Sequence, residues 1–458
     1  MLASSISFCG NNSVMEPSTP NPISKTPVIP TRNVLRWIEP WYVSYAILGA
    51  LASGAAVILI PLMVDENGGT AIQIGMAIAA QNCGAFSAPL WGWISDRSKA
   101  YRLVFFGGFL LIAAGFISFA LIKSRSVWII GSFLIGFGTA ASNTVATLFI
   151  VEFTPEKEWS QRISWLQTFN AIGSVLGMAG AGLIHPELGM LLAAALVIPA
   201  LLVGGVGLPV VGGPFHRPHV TISREKLALL ARRIEPLTGS VVSHLHALHL
   251  SDFNKPLRAA FSSSFGIFLN GWFFFSFGVS SFSSLYPVLM RTSFGMAASW
   301  SSLLMSIATA VSIGLYNVAG RLTTRRGPAS ILSFGIAVRT ITLVGLGLLG
   351  FSHLRSPLLP AIVLFGLFQG IWPLLSVGSN DLSAALAPFG EGIAMGLFSA
   401  AAAIASAGGA IIGGAIADRF GYPSVSLFAA AGTAISFACI FHLTTSERHV
   451  PKVAPLLP

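Results

Sequence analysis

Twelve apolar runs, each long enough to cross a bilayer, with charge concentrated in the stretches between them, leave this chain few ways to fold. A spanning helix needs about 20 apolar residues to cross roughly 30 Å of hydrocarbon. Backbone N–H and C=O groups cannot stay unpaired in lipid, so runs of this length are helical. The runs fall near residues 41–62, 71–93, 103–122, 127–150, 162–184, 189–211, 258–288, 296–319, 329–351, 357–378, 390–414 and 423–444. Charged residues make up 9% of the chain and hydrophobic ones 54%, against about 25% charged in a soluble protein. Lipid is therefore the solvent for most of the chain, and an all-α integral membrane fold is expected.

The charges between the runs set an orientation. The turn Gly92-Trp-Ile-Ser-Asp96-Arg97-Ser-Lys99-Ala-Tyr-Arg102 packs three cations and a carboxylate between the second and third runs. Clustered Lys and Arg hold such a turn on the cytoplasmic side. With the amino terminus inside, alternation places 20 cations in cytoplasmic segments and 5 outside, with Arg339 alone within a run. The net charge of +10 then belongs to membrane topology. With no basic face on a soluble domain and no interleaved aromatic platform, nucleic acid is not an expected partner. Cys9, Cys83 and Cys439 are too dispersed for a disulfide framework or a metal site.

The longest polar interruption, 212–257, divides the runs six and six. The predicted organisation is a disordered cytoplasmic tail (1–38), a six-helix bundle (39–211), a cytoplasmic loop (212–257), a second six-helix bundle (258–446) and a cytoplasmic tail (447–458). The first tail has no basic n-region followed by an apolar h-region, so no signal peptide is read there. Within the loop, Ser223 caps a basic amphipathic helix with Leu227, Leu230, Ala231 and Ile234 on one face, suited to the inner leaflet. His244, His246 and His249 do not share one helical face, so a polar loop is preferred to a metal site. No metal or cofactor is expected.

The two halves repeat. Ile60-Pro61-Leu62-Met63 matches Tyr286-Pro287-Val288-Leu289-Met290, Gly92 matches Gly320, and Gly182-Leu-Ile-His-Pro-Glu-Leu-Gly189 matches Gly414-Ala-Ile-Ala-Asp-Arg-Phe-Gly421. The offsets are 226, 228 and 232, nearly constant, as duplication of a six-helix unit requires. On these residues the chain resembles the major facilitator superfamily of secondary transporters over roughly 39–446. The family's signature turn is met by Gly92, Ser95, Asp96 and Arg97. Lys99 replaces a usual Gly, and Ala100-Tyr101-Arg102 replaces the usual basic pair. The second copy, Gly320 to Gly327, lacks the Asp. The family's antiporter signature would place Pro after Gly177, where this chain has Met178.

The resemblance implies a carrier with two pseudo-symmetric six-helix bundles, working by alternating access. It also implies an inner gate at Gly92, Asp96, Arg97, Arg102, Glu152, Gly320, Arg321 and Arg325, with Asp96 capping a helix of the opposite half. Spans one, four, seven and ten would line the cavity. The candidates there are Tyr45, Asn143, Asn270, Trp272, Gln369 and Trp372, with Gln167 and Asn170 from span five. Each could equally serve interhelical hydrogen bonding. Arg339 sits near mid-span nine, either contacting solute or bonded to groups of neighbouring helices. Gly173, Gly177, Gly180 and Gly182, and Gly408, Gly409, Gly413 and Gly414, allow close helix packing. No span centre holds Asp or Glu, so the coupling ion is left open.

The expected function is transport of a small amphipathic organic solute, with efflux as one direction, by a monomer in the plasma-membrane bilayer. The alternative is a non-transporting sensor or scaffold that docks partners through 212–257. An enzyme is not expected, because the spans hold no paired carboxylates, metal-ligand cluster, or nucleophile with a base.

Overall fold

The computed structural model describes residues 38–98, 100–207, 263–352, 357–387 and 391–447. The expected helix at 223, the three loop histidines and most of both tails lie outside these residues. The described helices run as twelve spans. In chain order the first six are Tyr42–Glu66, a broken pair Ala71–Ala85 and Ala88–Ser98, Tyr101–Leu121, Arg125–Phe153, Glu156–Ala181 and Pro186–Gly207. The second six begin with another broken pair, Ser264–Ser283 and Tyr286–Phe294. Ala298–Arg326, Pro328–Phe351, Leu358–Ala385, Glu391–Phe420 and Tyr422–Glu447 follow. Ten of these are long and apolar enough to cross a membrane. The other two are span two, interrupted at Phe86 and Ser87, and span five, whose first turns carry Glu156, Lys157, Glu158 and Arg162.

The breaks have local causes. Pro287 opens the short second helix of span seven, and Pro373 follows the break at Ile371 in span ten. Proline lacks an N–H and denies one carbonyl a turn earlier its helical donor. In span ten the deprived carbonyl is that of Gln369, and Ser312 of span eight donates its hydroxyl to it at 3.1 Å. In span one, Gly49–Ala55 is π-helical. This stretch lies against span five, where a Cβ added at Gly173 or Gly177 would strike the carbonyls of Ala46 and Ala50.

Hydropathy placed several span ends short. Span two runs to Ser98, span eight to Arg326 and span eleven to Phe420. Much of each basic turn is thus the polar end of a helix rather than loop. A helix can continue past the hydrocarbon once its ends reach water, and hydropathy does not report that continuation.

Spans one to six share a core around Tyr42, Tyr45, Phe105, Phe109 and Phe149. Spans seven to twelve hold two clusters. One, around Phe268, Trp272, Phe275 and Phe398, lies toward the end bearing the basic turns. The other, around Phe282, Tyr286, Phe365 and Phe368, lies toward the opposite end. We call these the basic end and the far end. The result is two six-helix bundles side by side.

Candidate functional site

A cavity of about 560 Å3 lies between the two bundles at mid-span. Span one gives it Ala52 and Ser53 from the π-helical stretch, span two gives Gln81 and Asn82, and span four gives Thr139. Across from them span seven presents Trp272, Phe275, Ser276, Ser280 and Ser284, span ten Trp372, and span eleven Ser406. The lining carries amides, hydroxyls and aromatic rings, with no Asp, Glu, Lys or Arg among the described residues.

Of the sequence candidates, Trp272 and Trp372 line this cavity. Trp272 stacks on Phe275 and Phe398 at centroid distances of 4.8 and 5.1 Å. Tyr45, Asn143, Gln167 and Asn170 come together nearer the basic end. The Tyr45 hydroxyl donates to Asn143 Oδ1, Gln167 reaches the same hydroxyl, and Asn170 Nδ2 donates to the Tyr45 carbonyl at 3.5 Å. Tyr45 is buried, whereas Asn143 and Gln167 are exposed, as in a vestibule below the cavity. Asn270 donates to Gly266 O of its own helix at 2.9 Å. The backbone carbonyl of Gln369 is held by Ser312, as above.

Arg339 is the exception to the rule that buried charges are paired. It is 2% exposed. Its Nε donates to the Phe368 carbonyl at 3.1 Å, beside the break in span ten. Its Cζ lies 4.1 Å from the Phe368 ring centroid, 5.2 Å from Trp372 and 5.6 Å from Phe275. Among the described residues span nine gives nothing to the lining, yet this side chain lies against Trp372 and Phe275, which do line the cavity.

The residues that sequence reasoning missed are Ser53, Gln81, Asn82, Thr139 and the serines of spans seven and eleven. Gln81 and Asn82 left a signal, two adjacent amides inside an apolar run. They were passed over because the family resemblance directs attention to spans one, four, seven and ten. Gln81→Ala should raise the apparent KM for solute about fivefold, the loss of one hydrogen bond of about 1 kcal/mol. Asn270→Ala should leave it unchanged, since that amide is spent on its own helix. Uptake kinetics in vesicles separates the two.

Contacts between the bundles gather at the far end. Asp418 of span eleven accepts the backbone N–H groups of Ala71 and Ile72, at 2.8 and 2.9 Å, at the start of span two. Asp65 of span one pairs with Arg291 of span seven. Ser306 of span eight donates to the Val175 carbonyl of span five at 2.8 Å. Gly75 and Gly414 let spans two and eleven touch through their backbones. Asp418 lies in the very repeat, Gly414 to Gly421, that served as a landmark of duplication, yet no gate role was read there.

At the basic end the segments stand apart. Trp93 is 59% exposed, and Arg97, Arg321 and Arg325 are exposed. Among the described residues, an added Cβ at Gly92 would face only Thr144 of its own bundle, and one at Gly320 would meet nothing within 4 Å. Arg97 lies over Trp93, and Arg102 donates to the Gly205 carbonyl of span six. The side chains of Asp96 and Glu152 lie outside the described residues. A second charged cluster stands at this end within the first bundle, where Arg162 pairs with Glu39 and with Glu158.

Comparison with known proteins places this architecture. The sequence profile of the Major Facilitator Superfamily matches residues 42–389. The L-fucose-proton symporter of Escherichia coli K12 is 28% identical over 134 residues, 29% of this chain and 31% of that protein. The Escherichia coli O6:H1 protein named "Putative multidrug resistance protein MdtD" is 21% identical over 348 residues, 69% of this chain and 74% of that one. Among solved structures, the nucleoside transporter NupG has a TM-score of 0.66 at 15% identity, covering 90% of this chain and 99% of its own. A bacterial homologue of the human lysosomal transporter Spinster, in an inward-facing and occupied conformation, has a TM-score of 0.67 at 10% identity, covering 89% and 96%. Profile and architecture agree, and the chain is an integral, multi-pass membrane protein belonging to the Major Facilitator Superfamily.

Proposed function

We propose that the protein is a carrier that exports a small amphipathic organic solute by alternating access, as a monomer in the plasma membrane with both termini cytoplasmic. The observation that carries this reading is the mid-span cavity between two bundles that touch at the far end and part at the basic end. The excess of cations on the basic-end turns supports placing that end in the cytoplasm, which makes the described state inward-facing. Aromatic walls with scattered hydroxyls and amides suit a solute with an apolar body and a few polar groups. The similarity to a protein named for multidrug resistance supports export.

In this cycle the inner gate closes when the halves rock together at the basic end. Asp96, Arg97 and Arg102 with Glu152 on one side, and Gly320, Arg321 and Arg325 on the other, are then the facing groups. Gly92 and Gly320 leave room for that approach. The exposed state of Arg97, Arg321 and Arg325 fits a gate standing open. Asp96→Asn should lower turnover about fivefold while solute affinity changes little, because a helix-end charge worth about 1 kcal/mol acts in one state only. Counterflow in proteoliposomes with a panel of labelled amphipathic compounds, run with and without a pH gradient, tests the carrier reading. Absence of exchange for every compound would remove it.

A further inference from the structure

We infer that the solute is an organic monoanion, and that its carboxylate is received at the cavity wall by Arg339 and Trp272. This deepens the carrier reading and rests on it. The starting point is a cation in the wrong solvent. A charge near the bilayer centre is costly and is ordinarily offset by a partner. Among the described residues no carboxylate pairs with Arg339, and its Nη1 has no hydrogen-bond partner. Its Nε bond to the Phe368 carbonyl and its three aromatic neighbours leave the Nη1 donor unspent.

A second orphan shares a neighbour with Arg339, the Phe275 ring. The indole Nε1 of Trp272 is buried without an acceptor, and Trp272 lines the cavity. Both orphans are donors with no accepting capacity, so the group that satisfies them must be an acceptor. Phe275 neighbours both, stacked on Trp272 and 5.6 Å from Arg339 Cζ. Among the described residues the lining holds no acidic or basic residue of its own, so Arg339 sets the sign of the potential there, and in low dielectric that potential is strong.

The remaining walls describe the rest of the ligand. One cation without a second matches a single negative charge. Trp272, Phe275, Trp372, Val57 and Val279 offer apolar surface, and about 560 Å3 lies within the range that holds a drug-sized molecule. Trp372 lines the cavity, lies 5.2 Å from Arg339 Cζ, and begins the second helix of span ten directly after the break at Ile371. The side chain at that break can turn aside without disturbing a continuous helix, and the cation–π contact it gives up is replaced by the ion pair.

Matched pairs of carboxylate and carboxamide test this with the full-length protein in proteoliposomes: 4-phenylbutyrate against 4-phenylbutanamide, and 1-naphthoate against 1-naphthamide. The expected result is counterflow and thermal stabilisation by the carboxylates, with the amides about tenfold weaker. Arg339→Gln should abolish that preference by weakening the carboxylates alone, and Trp272→Phe should reduce it about threefold. Equal handling of acid and amide by the native protein overturns the inference while leaving the carrier reading standing. Stabilisation by chloride with no preference for carboxylates overturns it as well. Exchange of neither class removes the carrier reading together with the inference. If Arg339→Gln fails to reach the membrane, the acid-against-amide comparison in the native protein decides alone.

Discussion

Gly414→Leu should trap the carrier open at the far end and cut solute exchange by about a hundredfold. A Cβ at Gly414 would lie 2.6 Å from Ile72 Cα and 2.8 Å from the Ala71 carbonyl carbon. Those atoms are backbone and cannot turn aside as a flexible side chain would. Overpacking costs about 1–3 kcal/mol where neighbours can yield, and here the upper end applies. The penalty exists only while spans two and eleven are pressed together, so it acts on one of the two states. A difference of about 3 kcal/mol shifts their ratio about a hundredfold, enough to invert a gap of a few kcal/mol. A cysteine at Ser53, on a background lacking Cys9, Cys83 and Cys439, reports the shift. Labelling from the far side should rise and labelling from the basic side should fall. Gly314→Leu, on span eight where an added Cβ meets nothing within 4 Å, should change neither. Ordinary exchange in Gly414→Leu would mean that the far-end contact never has to open.

The fold was legible because the bilayer reduces the problem. Once each long apolar run must be a helix, counting runs and reading the near-constant offset of the repeat gives two six-helix bundles. The span ends were less legible. Arg321, Arg325 and Asp418 read as turn residues because charge marks the end of the hydrocarbon, yet the helices carry on through them. The break in span ten could be anticipated from Pro373. That Ser312 repairs it depends on which helix lies alongside, which one-dimensional pattern does not contain.

The site was legible in part, and for a similar reason. Polar residues inside apolar runs stand out, and Trp272, Trp372 and Arg339 were all singled out. Whether such a residue faces the cavity, a neighbour or its own helix is a matter of rotation about the helix axis. Asn270, turned onto Gly266, and Tyr45, held by Asn143, differ in no way that spacing could reveal. Arg339 shows the opposite effect, since a long side chain lets a helix that gives nothing to the described lining reach residues that do. The far-end contact of Asp418 is not legible in the sequence, because a carboxylate just past an apolar run reads as topology until its partner, the start of span two, is seen beside it.

That carboxylate carries the remaining large expectation. Asp418→Asn should raise the far-side accessibility of the Ser53→Cys reporter by at least about twentyfold. The start of span two shows why. A helix leaves its first four N–H groups without intrahelical partners. Thr70 and Gln73 form a reciprocal capping box that serves two of the donors there, and Asp418 takes those of Ala71 and Ile72 from the other bundle. The amide introduced by the substitution would keep one carbonyl oxygen and turn an NH2 toward the second donor. Losing one bond to a charged acceptor costs about 1.5–3 kcal/mol, and the charge itself is favoured at a helix start by about 0.3–1 kcal/mol. Both terms vanish when the far end opens, so they weigh on the closed state alone. The Asp65–Arg291 pair is partly exposed, and such pairs contribute about 1 kcal/mol or less. Asp65→Asn should therefore shift the reporter in the same direction by a smaller factor. Asp96→Asn acts on the opposite end and should shift it the other way, so Asp418→Asn combined with Asp96→Asn should label between the two single variants. Unaltered labelling in Asp418→Asn would show that the glycine contact alone holds the far end closed.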